Sequence, residues 1–162
     1  MSSKVLVSRC LLGHRVRYDG GASGPYELLA QWQDEGRVIA LCPEVAGGLP
    51  TPRAAAEIPG GQGFDVLNGR APVMTTEGED VTEAFVSGAN QALALVKQHN
   101  IRIAVLKANS PSCGNRLTYD GTFSGTKIEG QGVTTALLSA AGIQVFNELE
   151  LLEAAKALAA LG

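Results

Sequence analysis

Three cysteines, Cys10, Cys42 and Cys113, are the residues of this 162-residue chain with the widest chemical reach. Three thiolates have three uses. They bind zinc with an open fourth position, they hold a cubane iron–sulfur cluster whose fourth iron lacks a protein ligand, or one of them acts as a nucleophile beside a histidine base. They lie 32 and 71 residues apart, without the paired C-x-x-C spacing of zinc ribbons and ferredoxins, so spacing alone chooses none of these. The nucleophile reading is the weakest. Only His14 and His99 are available as bases; His99 in KQHN reads as a solvated helix end and His14 as a loop residue. Free cysteine is also a well-buried small hydrophobe. The neighbours argue against that use, because Cys42 is followed by Pro43 and Glu44 in LCPEVAGGLPTPR, and Cys113 is bracketed by Ser112 and Gly114.

The elements that must position these thiols are short continuous runs rich in Val and Ile: KVLVS (4–8), RVIALC (37–42), RIAVLKA (102–108) and IQVFN (143–147). Such runs are expected of strands buried on both faces. Helical patterns separate them. PYELLAQWQDEG begins with Pro25 at a plausible first helical position and stops at Gly36. DVTEAFVSGANQALALVKQHN opens with Asp80 and Glu83 in capping-box spacing, VTTALLSAAG ends on Gly142, and NELELLEAAKALAALG opens with Asn147 and Glu150. The alternation predicts a three-layer α/β fold, a parallel sheet with helices on both faces, in one domain spanning 1–162. Each cysteine then falls at or beyond a strand's carboxyl end, the edge at which open α/β sheets bind ligands. Residues 43–79 are an excursion rich in Gly and Pro, with apolar pieces at 64–67 and 72–75 that could form a hairpin. Residues 109–130 contain LTYDGTFSG, an echo of VRYDGGASG at 16–24, and each copy follows a cysteine by a few residues. The glycines of PGGQG lack the context of a phosphate loop, which discounts a nucleotide cofactor.

Composition narrows the partners. With 13 Lys and Arg against 16 Asp and Glu, the net charge of −3 gives no basic field to support a stable nucleic-acid partner. The opening MSSKVLVSRCLLG is too broken by Lys4 and Arg9 for a signal peptide, and no segment approaches the roughly 18 apolar residues of a membrane span. Three cysteines cannot close a disulfide set. A cytoplasmic protein in a reducing compartment is expected.

The set CLLG, VRYDG, CPEVAGGLPTPR, DVTEAF, LKANSPSCG, YDGTFSG and GVTTALL resembles the small [4Fe-4S]-dependent thiouracil desulfidase family, in the same order from about residue 5 to about 148, with no departure at a motif position. The resemblance implies a Rossmann-like domain with a [4Fe-4S] cluster held by Cys10, Cys42 and Cys113. It also implies that a thiolated pyrimidine, a small molecule, brings its sulfur to the open iron and leaves with C=O in place of C=S, without redox turnover. Soft iron suits a thiocarbonyl sulfur, and water addition needs a proton-transfer group nearby. Glu44 is the first choice, because residues i and i+2 of an extended segment share a face. Asp19 and Ser110 are further candidates for catalysis, Asp19 by orienting water or the pyrimidine edge. Tyr18, Ser112 and Lys107 are candidates for substrate binding, and Lys107 and Arg53 are the cations placed against the site's negative charge. Zinc hydrolysis with the same thiols, or a carrier of sulfur or iron–sulfur clusters, is the alternative.

Overall fold

The structure is a computed structural model that describes residues 3–14, 16–21, 24 and 26–161. In chain order its elements are β1 (Val5–Ser8), a 3₁₀ turn (Arg9–Leu12), α1 (Glu27–Asp34), β2 (Val38–Leu41) and α2 (Pro43–Ala46). The excursion supplies β3 (Ala56–Glu57), α3 (Gly63–Leu67) and β4 (Met74–Thr75). There follow α4 (Thr82–Gln98), β5 (Ile103–Leu106), the ribbon β6 (Leu117–Tyr119) and β7 (Lys127–Glu129), then α5 (Val133–Ala140), β8 (Gln144–Asn147) and α6 (Leu151–Leu161). All four Val- and Ile-rich runs are strands of one parallel sheet ordered β2-β1-β5-β8. The expected start of the first helix, Pro25, lies outside the described residues.

Alternation along the inner strands explains the three layers. Val5 and Val7 of β1, with Ile103 and Val105 of β5, pack against Leu29 and Trp32 of α1 and Ala154 and Leu158 of α6. The intervening Leu6, Ala104 and Leu106 face the other way, onto Ala92 and Val96 of α4 and Leu138 of α5. Successive strand side chains point to opposite faces, so two apolar faces require two helical layers. A third apolar cluster, with Ile58, Val66, Val73 and Phe85, seats the excursion against α4 and α5. Among the described residues no helix is long and apolar enough to cross a membrane.

Two local expectations are corrected. The pieces at 64–67 and 72–75 do not form a hairpin with each other. Residues 63–67 are helical, begun where the Asp65 carboxylate accepts the Gln62 N–H at 2.9 Å, and β4 pairs antiparallel with β3 instead. Ahead of α4, Asp80 Oδ1 accepts from the N–H (2.9 Å) and the hydroxyl of Thr82 rather than forming a reciprocal pair with Glu83. The second expected pair is present: Asn147 N–H donates to Glu150 at 3.0 Å and Leu149 N–H to Asn147 Oδ1 at 2.8 Å, one turn ahead of α6.

Candidate active site

The parallel strands β1, β2 and β5 all end at one edge of the sheet. The chain leaves β1 into the turn holding Cys10, leaves β2 directly into Cys42, and leaves β5 into the loop holding Cys113. All three thiols are free and line one cavity of about 280 Å³. Ser8, the last residue of β1, ties two of these loops together. Its buried hydroxyl accepts the Lys107 N–H at 3.0 Å and lies 3.7 Å from Cys113 Sγ. Cys42 Sγ lies 3.8 Å from the Val16 carbonyl, in the loop that follows Cys10.

Burial pushes the Cys10 thiol up to about 11, with the charge of Cys42 adding to it and Lys107 and Arg17 opposing. Burial likewise pushes Cys113 up to about 12, again reinforced by Cys42 and opposed by the Ser8 hydroxyl. The three sulfurs therefore sense one another across the cavity, and holding all of them as thiolates requires a compensating positive centre.

Glu44 enters the same cavity by a different route from the one expected. Its segment is the helical turn α2, not an extended strand, with Pro43 at the first helical position and the Ala46 N–H bonded to the Cys42 carbonyl at 2.9 Å. The turn is pressed onto α4, where a Cβ on Gly88 would stand 1.9 Å from the Pro43 carbonyl oxygen and one on Gly47 1.9 Å from that of Ala84. Only glycine permits that approach. Arg53 Nε meets Glu44 Oε1 at 3.2 Å, and its other nitrogens are held by the carbonyls of Pro50 (3.0 Å) and Val16 (3.1 Å). Burial raises the Glu44 carboxyl above its ordinary value, against the pull of Arg53.

Tyr18, Lys107 and Ser110 also line the cavity. The Lys107 ammonium is already engaged, 2.6 Å from Glu148 Oε2, while Glu148 Oε1 accepts the Ala108 N–H at 2.8 Å. Ser110 Oγ accepts the Cys113 N–H at 2.7 Å and so shapes the loop that presents that thiol. Two expected site residues stand elsewhere. Ser112 is fully buried against Thr134, Oγ to Oγ1 at 2.9 Å, because the loop turns its side chain under α5. Asp19 is exposed, its carboxylate taken by the Gly21 N–H at 2.8 Å in its own turn. Neither lines the cavity. His14 and His99 do not line it either; Arg9 Nε donates to His14 Nδ1 at 3.1 Å.

The sequence reading missed Ser8, Arg17, Glu57, Tyr119 and Glu148. Ser8 carried a signal, being a small polar residue that ends an otherwise apolar strand. Tyr119 carried another: the two YDG copies place Tyr18 and Tyr119 on the same cavity, each followed by an Asp whose carboxylate accepts the N–H two residues on.

A parallel sheet that gathers three thiols and a paired carboxylate at its carboxyl edge defines a class of α/β proteins built around a three-cysteine pocket. Within that class the chain belongs to the 2-thiouracil desulfurase family, a family of enzymes, whose model matches residues 5–150. It is 50% identical over 147 residues to the uncharacterized protein YbbK of Bacillus subtilis (strain 168), covering 91% of this chain and 97% of that one. Its fold superposes with a TM-score of 0.88 on a solved [4Fe-4S]-dependent thiouracil desulfidase, TudS, at 49% identity over 98% of this chain and 99% of that one.

Proposed function

We propose that this protein replaces the C=S of a thiolated pyrimidine by C=O through a [4Fe-4S] cluster held by Cys10, Cys42 and Cys113, in the cytoplasm. The observation that carries the reading is the convergence of three thiols from three strand ends on one cavity, beside a partly buried carboxylate. The donor set fits the group. It is all sulfur, the ligand type that holds iron–sulfur clusters, and its three members are free thiols on one cavity. Bound there, the cluster supplies a soft Lewis-acid position at the iron that lacks a protein ligand.

The protein's own groups supply the rest. Water adds to the ring carbon that bears sulfur, and Glu44 accepts its proton and returns one to the departing hydrosulfide, so that thiopyrimidine and water give the oxo base and hydrogen sulfide with no electron gained or lost. Arg53 holds the Glu44 carboxylate in place for this. Arg17 and Lys107 offset the negative charge of the thiolates. The substrate is a small base or nucleoside; the net charge of −3 favours it over a polynucleotide.

Purification without oxygen tests the metal. Brown protein with iron and acid-labile sulfide is expected, whereas colourless zinc-loaded protein that retains activity would sink the cluster. Glu44→Ala tests the chemistry: hydrosulfide release from 2-thiouracil should fall by at least about 100-fold, the usual scale of general acid–base catalysis, while the colour persists. Full activity in that variant removes Glu44 from the mechanism, and a brown protein that releases no hydrosulfide is a carrier.

A further inference from the structure

The cavity contains a second carboxylate with no role in this scheme. Glu57, on β3, is 8% exposed, lines the cavity and forms no ion pair with any described residue. Its two oxygens are used unequally. Oε1 accepts the N–H groups of Gly121 (2.9 Å) and Phe123 (3.3 Å), at the tip of the β6–β7 ribbon. No described residue hydrogen-bonds Oε2, and that oxygen is not sealed from the free space around it.

The ribbon is built to hold Glu57 in this position. Gly121 has φ +90°, and a Cβ there would stand 2.5 Å from Pro59 Cα and 2.7 Å from the Ile58 carbonyl oxygen. Without a glycine the tip would stand off from β3 and its N–H groups would not reach the carboxylate. The same ribbon brings Tyr119 to the cavity, with Lys127 Nζ 5.9 Å from its ring centroid. One carboxylate oxygen is clamped and one is left open, in a cavity that Tyr119 also lines. A flat heterocycle with a hydrogen-bond donor on its edge complements that arrangement.

We propose that Glu57 determines specificity by accepting, through Oε2, the ring N–H next to the thiocarbonyl, so that the site takes cyclic thioamides with S=C–N–H rather than any C=S. The inference rests on the desulfidase reading and names the feature of the substrate that this site selects. It also accounts for a carboxylate, rather than a neutral amide, in a cavity already crowded with sulfur: a carboxylate presents only acceptors, whereas an amide must present a donor as well.

Two variants test it in the anaerobically prepared, cluster-loaded enzyme. Glu57→Gln keeps an oxygen for the Gly121 and Phe123 N–H groups but turns an NH₂ toward the substrate, so KM for 2-thiouracil should rise at least about tenfold, the scale of one charge-assisted hydrogen bond. Glu57→Ala removes acceptor and bulk. The wild-type preference in kcat/KM for 2-thiouracil over its N,N′-dimethyl analogue, in which both ring N–H groups are capped, should collapse toward unity. A residue that merely braces the ribbon would leave KM unchanged in Glu57→Gln and lower both substrates equally in Glu57→Ala. Either result overturns the proposal, as does a wild-type enzyme indifferent to methylation. If turnover in a variant is too slow to follow, calorimetric binding of the same two compounds gives the same ratio. A wild-type enzyme that releases no hydrosulfide from any thiopyrimidine defeats the desulfidase reading itself, whereas an active wild type whose variants keep its preference defeats only the role of Glu57.

Discussion

Glu44 and Arg53 form a largely buried charge pair at the cavity wall, with side chains 16% and 6% exposed. Removing one member of such a pair leaves the other charge buried without compensation, at about 3–5 kcal/mol. Arg53→Met should therefore destabilise the protein by about 3 kcal/mol in chemical denaturation, and adding Glu44→Gln should recover much of that loss. If the double variant is less stable than the single one by the full cost of a second lesion, the two residues are not coupled. The cysteines were legible because each follows a recognisable strand. Glu44 was assigned to the right cavity on a wrong backbone, since side-chain alternation was assumed where a helical turn follows Pro43. Glu57 and Tyr119 were illegible for a different reason. Each sits on a strand of two or three residues whose position depends on long-range docking, and nothing local in the sequence encodes that.

The excursion and α4 show where element-level reading stops. Four strands could be read from continuous apolar runs and four helices from their end signals and apolar spacing, as with Phe85, Ala89, Ala92 and Val96 buried along α4. Residues 63–67 resemble a strand by composition, yet the Asp65 carboxylate caps a helical turn that buries Val66. Gly88 is a buried glycine in the interior of α4. Replacing a helical glycine by alanine ordinarily gains up to about 1 kcal/mol. Here the new Cβ would meet the Pro43 carbonyl oxygen at 1.9 Å, so Gly88→Ala should instead cost about 1–3 kcal/mol through overpacking. It should also lower iron content after anaerobic purification, because Pro43 adjoins Cys42. A variant with raised thermal stability and full iron loading would show that α2 moves freely against α4.

At the scale of the molecule, a polar network joins the loop after Cys113 to the corner between β8 and α6. Glu150 accepts from Asn115 Nδ2 (2.8 Å), from the Asn147 N–H (3.0 Å) and from Arg116. Burial pushes its carboxyl up, but the bonds from Asn115, Asn147 and Arg116 outweigh that and hold it below the ordinary 4.5. A lowered carboxyl contributes stability that is complete above the unfolded value and is lost as the pH falls through the folded one. Glu150→Gln should thus be less stable than the wild type at neutral pH, with the difference shrinking as the pH drops below about 4.5. A difference that is constant with pH would mean that the carboxylate's charge plays no part. The sequence announced this corner through the spacing of Asn147 and Glu150, although not its reach to Asn115 and Arg116.

The four-stranded sheet carries the thiols, while the short ribbons β3–β4 and β6–β7 lie outside it and carry Glu57 and Tyr119. For protein engineering, this divides the molecule into a chassis and an interchangeable front plate. The ribbons can be redesigned toward other heterocycles while the strands that set the spacing of the sulfurs are left untouched.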